Sequence, residues 1–169
     1  MLVVLAAGFG GGSYFVARRI LSDRAGRAEA ATTASVDSDC PAITAKAVSD
    51  AGLNGQLQLL RYVSATVSGG SDAEAWICKN ADGVLFYQGH RKTGPFEAAT
   101  SDYTILLGRG ILGKVATEGN DGFVATNPLD PANVDDPQRT EYHVAPKVFY
   151  FVVLPEGRKT EYVVTRTVG

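Results

Sequence analysis

Residues that carry chemistry are scarce in this sequence. Two histidines and two cysteines stand among 169 residues, and His90 and His143 lie far apart. The short-spaced Cys/His clusters that ligate zinc are therefore missing. A joint Cys40–Cys78–His90–His143 site would need the fold to gather residues that the sequence scatters, and both histidines read instead as strand residues. Neither sits beside a serine or cysteine nucleophile, and no G-x-S-x-G elbow occurs. No βαβ alternation is visible, which argues against a parallel sheet. The chain is accordingly expected not to be an enzyme, with no catalytic residue, no cofactor and no metal site.

Charge of one sign is also thin. From residue 31 onward, 12 basic residues face 16 acidic ones, a net charge of −4. Up to residue 30, four arginines against Asp23 and Glu29 give +2. Nucleic-acid binding rests mainly on neutralising phosphates with Lys and Arg, and an acidic domain without a basic stripe is poorly built for it. Nucleic acid is excluded as an expected partner.

What the sequence does have begins with an apolar start. MLVVLAAGFGGGSYFVARRI carries no charged side chain from Met1 to Ala17, close to the lower length limit for a membrane-spanning helix. Residues 1–21 are read as a transmembrane or signal-anchor helix. A cleaved signal peptide would want basic residues ahead of the apolar run, and here they follow it; a natural start further upstream is the other alternative. Arg18, Arg19, Arg24 and Arg27 would hold the following side in the cytoplasm by the positive-inside rule. The cysteine pair and the Lys-poor, β-rich remainder point the other way. The expected placement is a single-pass protein of the cell membrane with its C-terminal domain outside the cytoplasm.

Residues 22–39, SDRAGRAEAATTASVDSD, hold almost no large apolar side chain and read as a linker. A β-rich domain is expected over 40–169. It opens with a short helix in CPAITAKAVSDAG, where Pro41 suits the first helical position and Gly52 follows the end. The period then changes to two. LQLLRYVSATVS, AEAWICK, VLFYQGH, DYTILL, GKVAT, FVATN, EYHVA, KVFYFVVL and TEYVVTRTV are strand candidates, with Asp82-Gly83 supplying a hairpin turn. Short, regular spacing predicts a mainly β fold, an antiparallel sandwich or open barrel of about eight strands.

In an exported domain, Cys40 and Cys78 are expected to form a disulfide that ties the short helix to the sheet. Two buried thiols are the alternative. Cys78 is placed on the face opposite Ile77, and is expected to share a face with Trp76 only across a bulge.

LVVLAAGFGGG followed by a helix ending in Arg-Arg is similar to the dinucleotide fingerprint of flavin-dependent NADH dehydrogenases. Two departures set that reading last. Ala6 stands where the first glycine belongs, and AEAATTASVD stands where a second strand ending in an acid is needed.

The loop NPLDPANVDDPQ is acidic, and Asp130, Asn133, Asp135 and Asp136 could offer oxygens to calcium. Its spacing fits no EF-hand, so a solvated surface loop is expected and calcium is not. Phe149, Tyr150 and Phe151 are consecutive, so aromatic rings must face both sides of the sheet. They are the candidate interaction surface, with burial on both faces as the alternative.

From Trp76 onward, WICKNADGVLFYQGH, DGFVATN, EYHV and the closing hairpin resemble small extracellular β-domains of bacterial membrane proteins. These include the tails that follow the membrane helix in some bacterial serine/threonine kinases. The resemblance implies an outside domain with a sensing or accessory role, and no kinase motif accompanies it. The expected function is a non-enzymatic, membrane-anchored binding or sensing module. Its expected partners are the membrane and another protein. A structural accessory subunit of a larger membrane complex is the alternative, and a dinucleotide-dependent oxidoreductase the distant third.

Overall fold

The computed structural model describes residues 39–67, 72–92 and 104–169. The expected membrane helix and most of the expected linker lie outside them. Among the described residues no helix is long and apolar enough to cross a membrane.

Among the described residues one helix, α1 (Ala42–Asp50), is followed by nine strands: β1 (Leu57–Thr66), β2 (Asp72–Asn80), β3 (Leu85–Arg91), β4 (Thr104–Gly108), β5 (Lys114–Glu118), β6 (Gly122–Pro128), β7 (Arg139–Ala145), β8 (Val148–Leu154) and β9 (Arg158–Val168). They form one antiparallel sheet in the order β4-β3-β2-β1-β9-β8-β7-β6-β5. Each neighbouring pair but one is consecutive in sequence, so short turns build almost the whole sheet. Asp82-Gly83 makes one of them, with Gly83 at φ 81° and Asn80 Oδ1 accepting from the amides of Asp82 and Val84.

The strand count is nine, where about eight were expected, and the topology gives the reason. Following antiparallel pairs outward from β1 in both directions gives β4 and β5 the same sense. Only residues 109–113 separate them. A chain cannot return to its starting end in five residues, so β4 and β5 are two segments of one interrupted stave. That stave lies where the sheet's two ends approach, with β3 and β4 against β5 and β6. The architecture is a nearly closed barrel, rather than a sandwich.

Both faces of β1–β4 are buried. The interior core gathers Val63, Ala75, Ile77, Leu107, Val144 and Phe149. The outer core sets Val48 of α1 on Tyr62, Trp76, Cys78 and Phe86. A nine-residue helix is marginal alone in water, and this one is held by tertiary contacts. Thr44 and Val48, one turn apart, are fully buried, and the Thr44 hydroxyl donates to Gln88 Oε1 at 3.0 Å. Cys40 and Cys78 are joined in a disulfide. Trp76 and Cys78 share the outer face with no bulge between them, contrary to the sequence reading, because residues two apart in a strand point the same way. The bulge lies instead in β1, between Leu59 and Arg61.

Glycine is needed where rings cross the strands. A Cβ on Gly108 would overlap the ring of Phe86, its cross-strand partner, and one on Gly89 would stand 2.6 Å from the Tyr87 hydroxyl. Two aromatic rings therefore lie flat over glycine backbone, one on each face of β3.

Candidate functional site

Alternation along four strands sends one set of aromatic side chains inward. Tyr87 on β3 stacks on Tyr142 of β7 at 5.0 Å, and Phe149 of β8 stacks on Tyr162 of β9 at 4.9 Å. Phe151 bridges the pairs, tilted against Tyr142 and Tyr162. Together with Gly89, Ile105 and Thr140 they line a cavity of about 240 Å³. A barrel with about eight staves has an interior that side chains fill or that holds one small ligand, and here the aromatic layer stops short of filling it.

Among the described residues, the polar lining of the cavity is made of phenols beside Arg91, with Glu74 and His90 at the wall. Burial pushes the Tyr87 phenol well above its ordinary value, and the neighbouring Tyr142 and Tyr162 add to this. Burial also raises Tyr142, against a hydrogen bond with Asn127 and the field of Arg91. Both stay protonated near neutral pH and can donate hydrogen bonds. Arg91 is exposed and lines the same cavity. Among the described residues it has no carboxylate partner. Among the described residues the one carboxylate on the wall, Glu74, is already engaged: Lys92 Nζ lies 2.9 Å away, the Tyr62 hydroxyl donates at 2.7 Å, and His90 Nδ1 stands at 3.4 Å.

The sequence-predicted residues fall in separate places. Cys40 and Cys78 are bonded to each other outside the barrel wall, away from the interior cavity. Phe149 and Phe151 point inward, whereas Tyr150 is on the outer face, stacked on His143 at 4.3 Å with Lys159 Nζ 3.9 Å above its ring. The three thus do not make one surface. His143 Nδ1 lies 2.9 Å from Glu118, and its Nε2 lies 3.6 Å from Glu141; His90 is on a different wall. In the acidic loop, side-chain oxygens of Asp130, Asn133 and Asp136 accept from the loop's own amides, and Asp135 pairs with Lys114. That lysine holds the Asp135 carboxyl below its ordinary value. No group of three or more His, Cys, Asp or Glu among the described residues is placed to hold a metal ion.

The sequence reading did not find Tyr87, Tyr142, Tyr162 or Arg91. Their period-two spacing marks a shared face within each strand, but nothing local says that those faces meet.

No family model, curated protein or solved structure matches this chain.

Proposed function

We propose that this chain is a membrane-anchored module whose β-domain works outside the cytoplasm by binding rather than by catalysis. The observation that carries the reading is the Cys40–Cys78 bond, which fastens the segment ahead of α1 to the sheet. Such bonds persist in oxidising compartments and are rare in the cytosol. The resemblance of its hairpins to extracellular β-domains agrees with it, and the aromatic cavity offers a concave surface for a ligand. The apolar stretch from Met1 to Ala17 supplies the anchor.

The test combines fractionation with thiol trapping. The protein should stay in the membrane pellet through a high-pH carbonate wash. Leu5→Asp with Val16→Asp should release it or block insertion, since charges within the apolar run are costly, up to about 2.5–3.5 kcal/mol each at the helix centre on insertion scales. Peptides linked through Cys40 and Cys78 should be recovered under acid trapping. Two thiols that label freely in the intact protein recovered from cells would defeat the outside placement.

A second reading, an accessory subunit of a membrane complex, draws on the outer face of β8 and β9. Val148 and Val163 are exposed there beside Tyr150, and exposed apolar residues near a ring suit a protein partner. Recovery of one stoichiometric partner after mild detergent extraction would favour it.

A further inference from the structure

We propose that the aromatic cavity binds a small apolar carboxylic acid, its ring or short chain seated among the aromatic side chains and its carboxylate held by Arg91. The inference rests on the binding-module reading and names the ligand class for that module.

Four observations converge on it. The walls are rings: Tyr87, Tyr142, Phe149, Phe151 and Tyr162 line one cleft that is open on one side, which suits a flat or slender apolar body. The size is modest. At about 240 Å³ the cavity lies below the roughly 300–1,000 Å³ typical of drug-sized ligands, so a single-ring molecule fits better than a lipid or a peptide.

The charge selects the polar end. Arg91 is the cation at this cavity without a carboxylate partner among the described residues, whereas Lys92 is committed to Glu74. A guanidinium grips a carboxylate through two parallel hydrogen bonds and has no use for an amine. The phenols of Tyr87 and Tyr142 remain donors, so they can add hydrogen bonds to an anion and cannot repel it as phenolates would.

Selectivity then follows from the surroundings. The domain carries an excess of acidic residues, so an arginine beside an aromatic cavity, without a carboxylate partner among the described residues, favours an anion at this spot. An acid should enter with its apolar end first and stop when the carboxylate reaches Arg91. The amide of the same acid would keep the ring contacts and lose the charge-assisted bonds. The corresponding amine would meet Arg91 as a like charge.

The experiment uses the full chain in mild detergent and three single-ring probes of matched size: phenylacetate, phenylacetamide and phenethylamine. Binding is followed by chemical-shift titration of the tyrosine ring signals. Phenylacetate should bind about fivefold or more tightly than phenylacetamide, with the amine weakest. Arg91→Gln, at an exposed position that should not disturb folding, should bring the acid down to the affinity of the amide. Raised salt should narrow the gap in the unaltered protein only. Equal affinity for acid and amide would overturn the carboxylate assignment while leaving a binding cavity in place. Failure of all three probes to shift the Tyr87 or Tyr142 signals would overturn the cavity as the site. The placement of the module would still be judged separately, by the state of its two cysteines.

Discussion

Arg61 of β1 and Asp121 of the β5–β6 turn meet at 2.7 Å, although sixty residues separate them in sequence. The arginine side chain is 7% exposed and the aspartate 68%. A second guanidinium nitrogen of Arg61 donates to the Gly169 carbonyl. One buried cation thus pins the β5–β6 hairpin and the end of β9 to β1.

The two partners of that pair should not be equivalent on substitution. Asp121→Asn leaves the buried guanidinium without its counter-charge and should lower stability by about 1–2 kcal/mol. Arg61→Met removes the buried charge altogether and returns Asp121 to water, so it should be nearly neutral or slightly stabilising. Urea midpoints of the two variants decide between them. A larger loss for Arg61→Met would show that the hydrogen bond to Gly169 dominates.

Stability should fall on the alkaline side. Tyr87 and Tyr142 have folded-state values raised above the unfolded reference of about 10, chiefly by burial. A raised value means that the folded protein favours the neutral phenol. This contribution is complete below about pH 10 and is lost as pH rises from there through the folded values. Urea midpoints measured from pH 8 to 11.5 should hold steady and then drop. Tyr87→Phe should shrink the drop, and an unchanged slope in that variant would remove Tyr87 from the account.

Gly108→Ala tests the ring-over-glycine arrangement. The Phe86 ring is fully buried and occupies the place of the new Cβ, so the substitution overpacks the outer core at about 1–3 kcal/mol. Phe86→Leu in the same chain should recover part of that loss. Thermal unfolding of the single and double variants measures it.

Cys40→Ser with Cys78→Ser opens a loop spanning 38 positions and should cost about 2–5 kcal/mol. Because α1 rests on the sheet through Val48 and Thr44, its amides should lose hydrogen-exchange protection before those of β6–β8. Uniform loss of protection across the domain would mean that the helix and the barrel unfold together.

Much of the architecture is legible in the sequence because it is local. Period-two stretches such as AEAWICK and EYHVA mark strands, Asp82-Gly83 marks a turn, and Pro41 and Gly52 bracket the helix. What is not legible depends on pairing across long distances. The five residues between Gly108 and Lys114 look like any hairpin loop, and only the β1–β9 pairing shows that the chain runs straight on through them. The cavity is hidden for the same reason: Tyr87 and Tyr142 meet only once two meanders curl toward each other. The linkage of Arg61 to Asp121 has no local signature at all.

The way the ring of strands is completed bears on how fast it assembles. β1–β4 and β5–β9 are each knit from turns that form between close neighbours, whereas Tyr62 must find Val168, and Ser64 must find Arg166, across the rest of the domain. Bringing together points roughly a hundred residues apart costs chain entropy before any contact rewards it. The two meanders should therefore take shape early and dock late, giving a transition state organised within the halves and a folding time in the millisecond-to-second range of non-local β topologies. Mutations along the β1–β9 junction should then speed unfolding more than they slow folding.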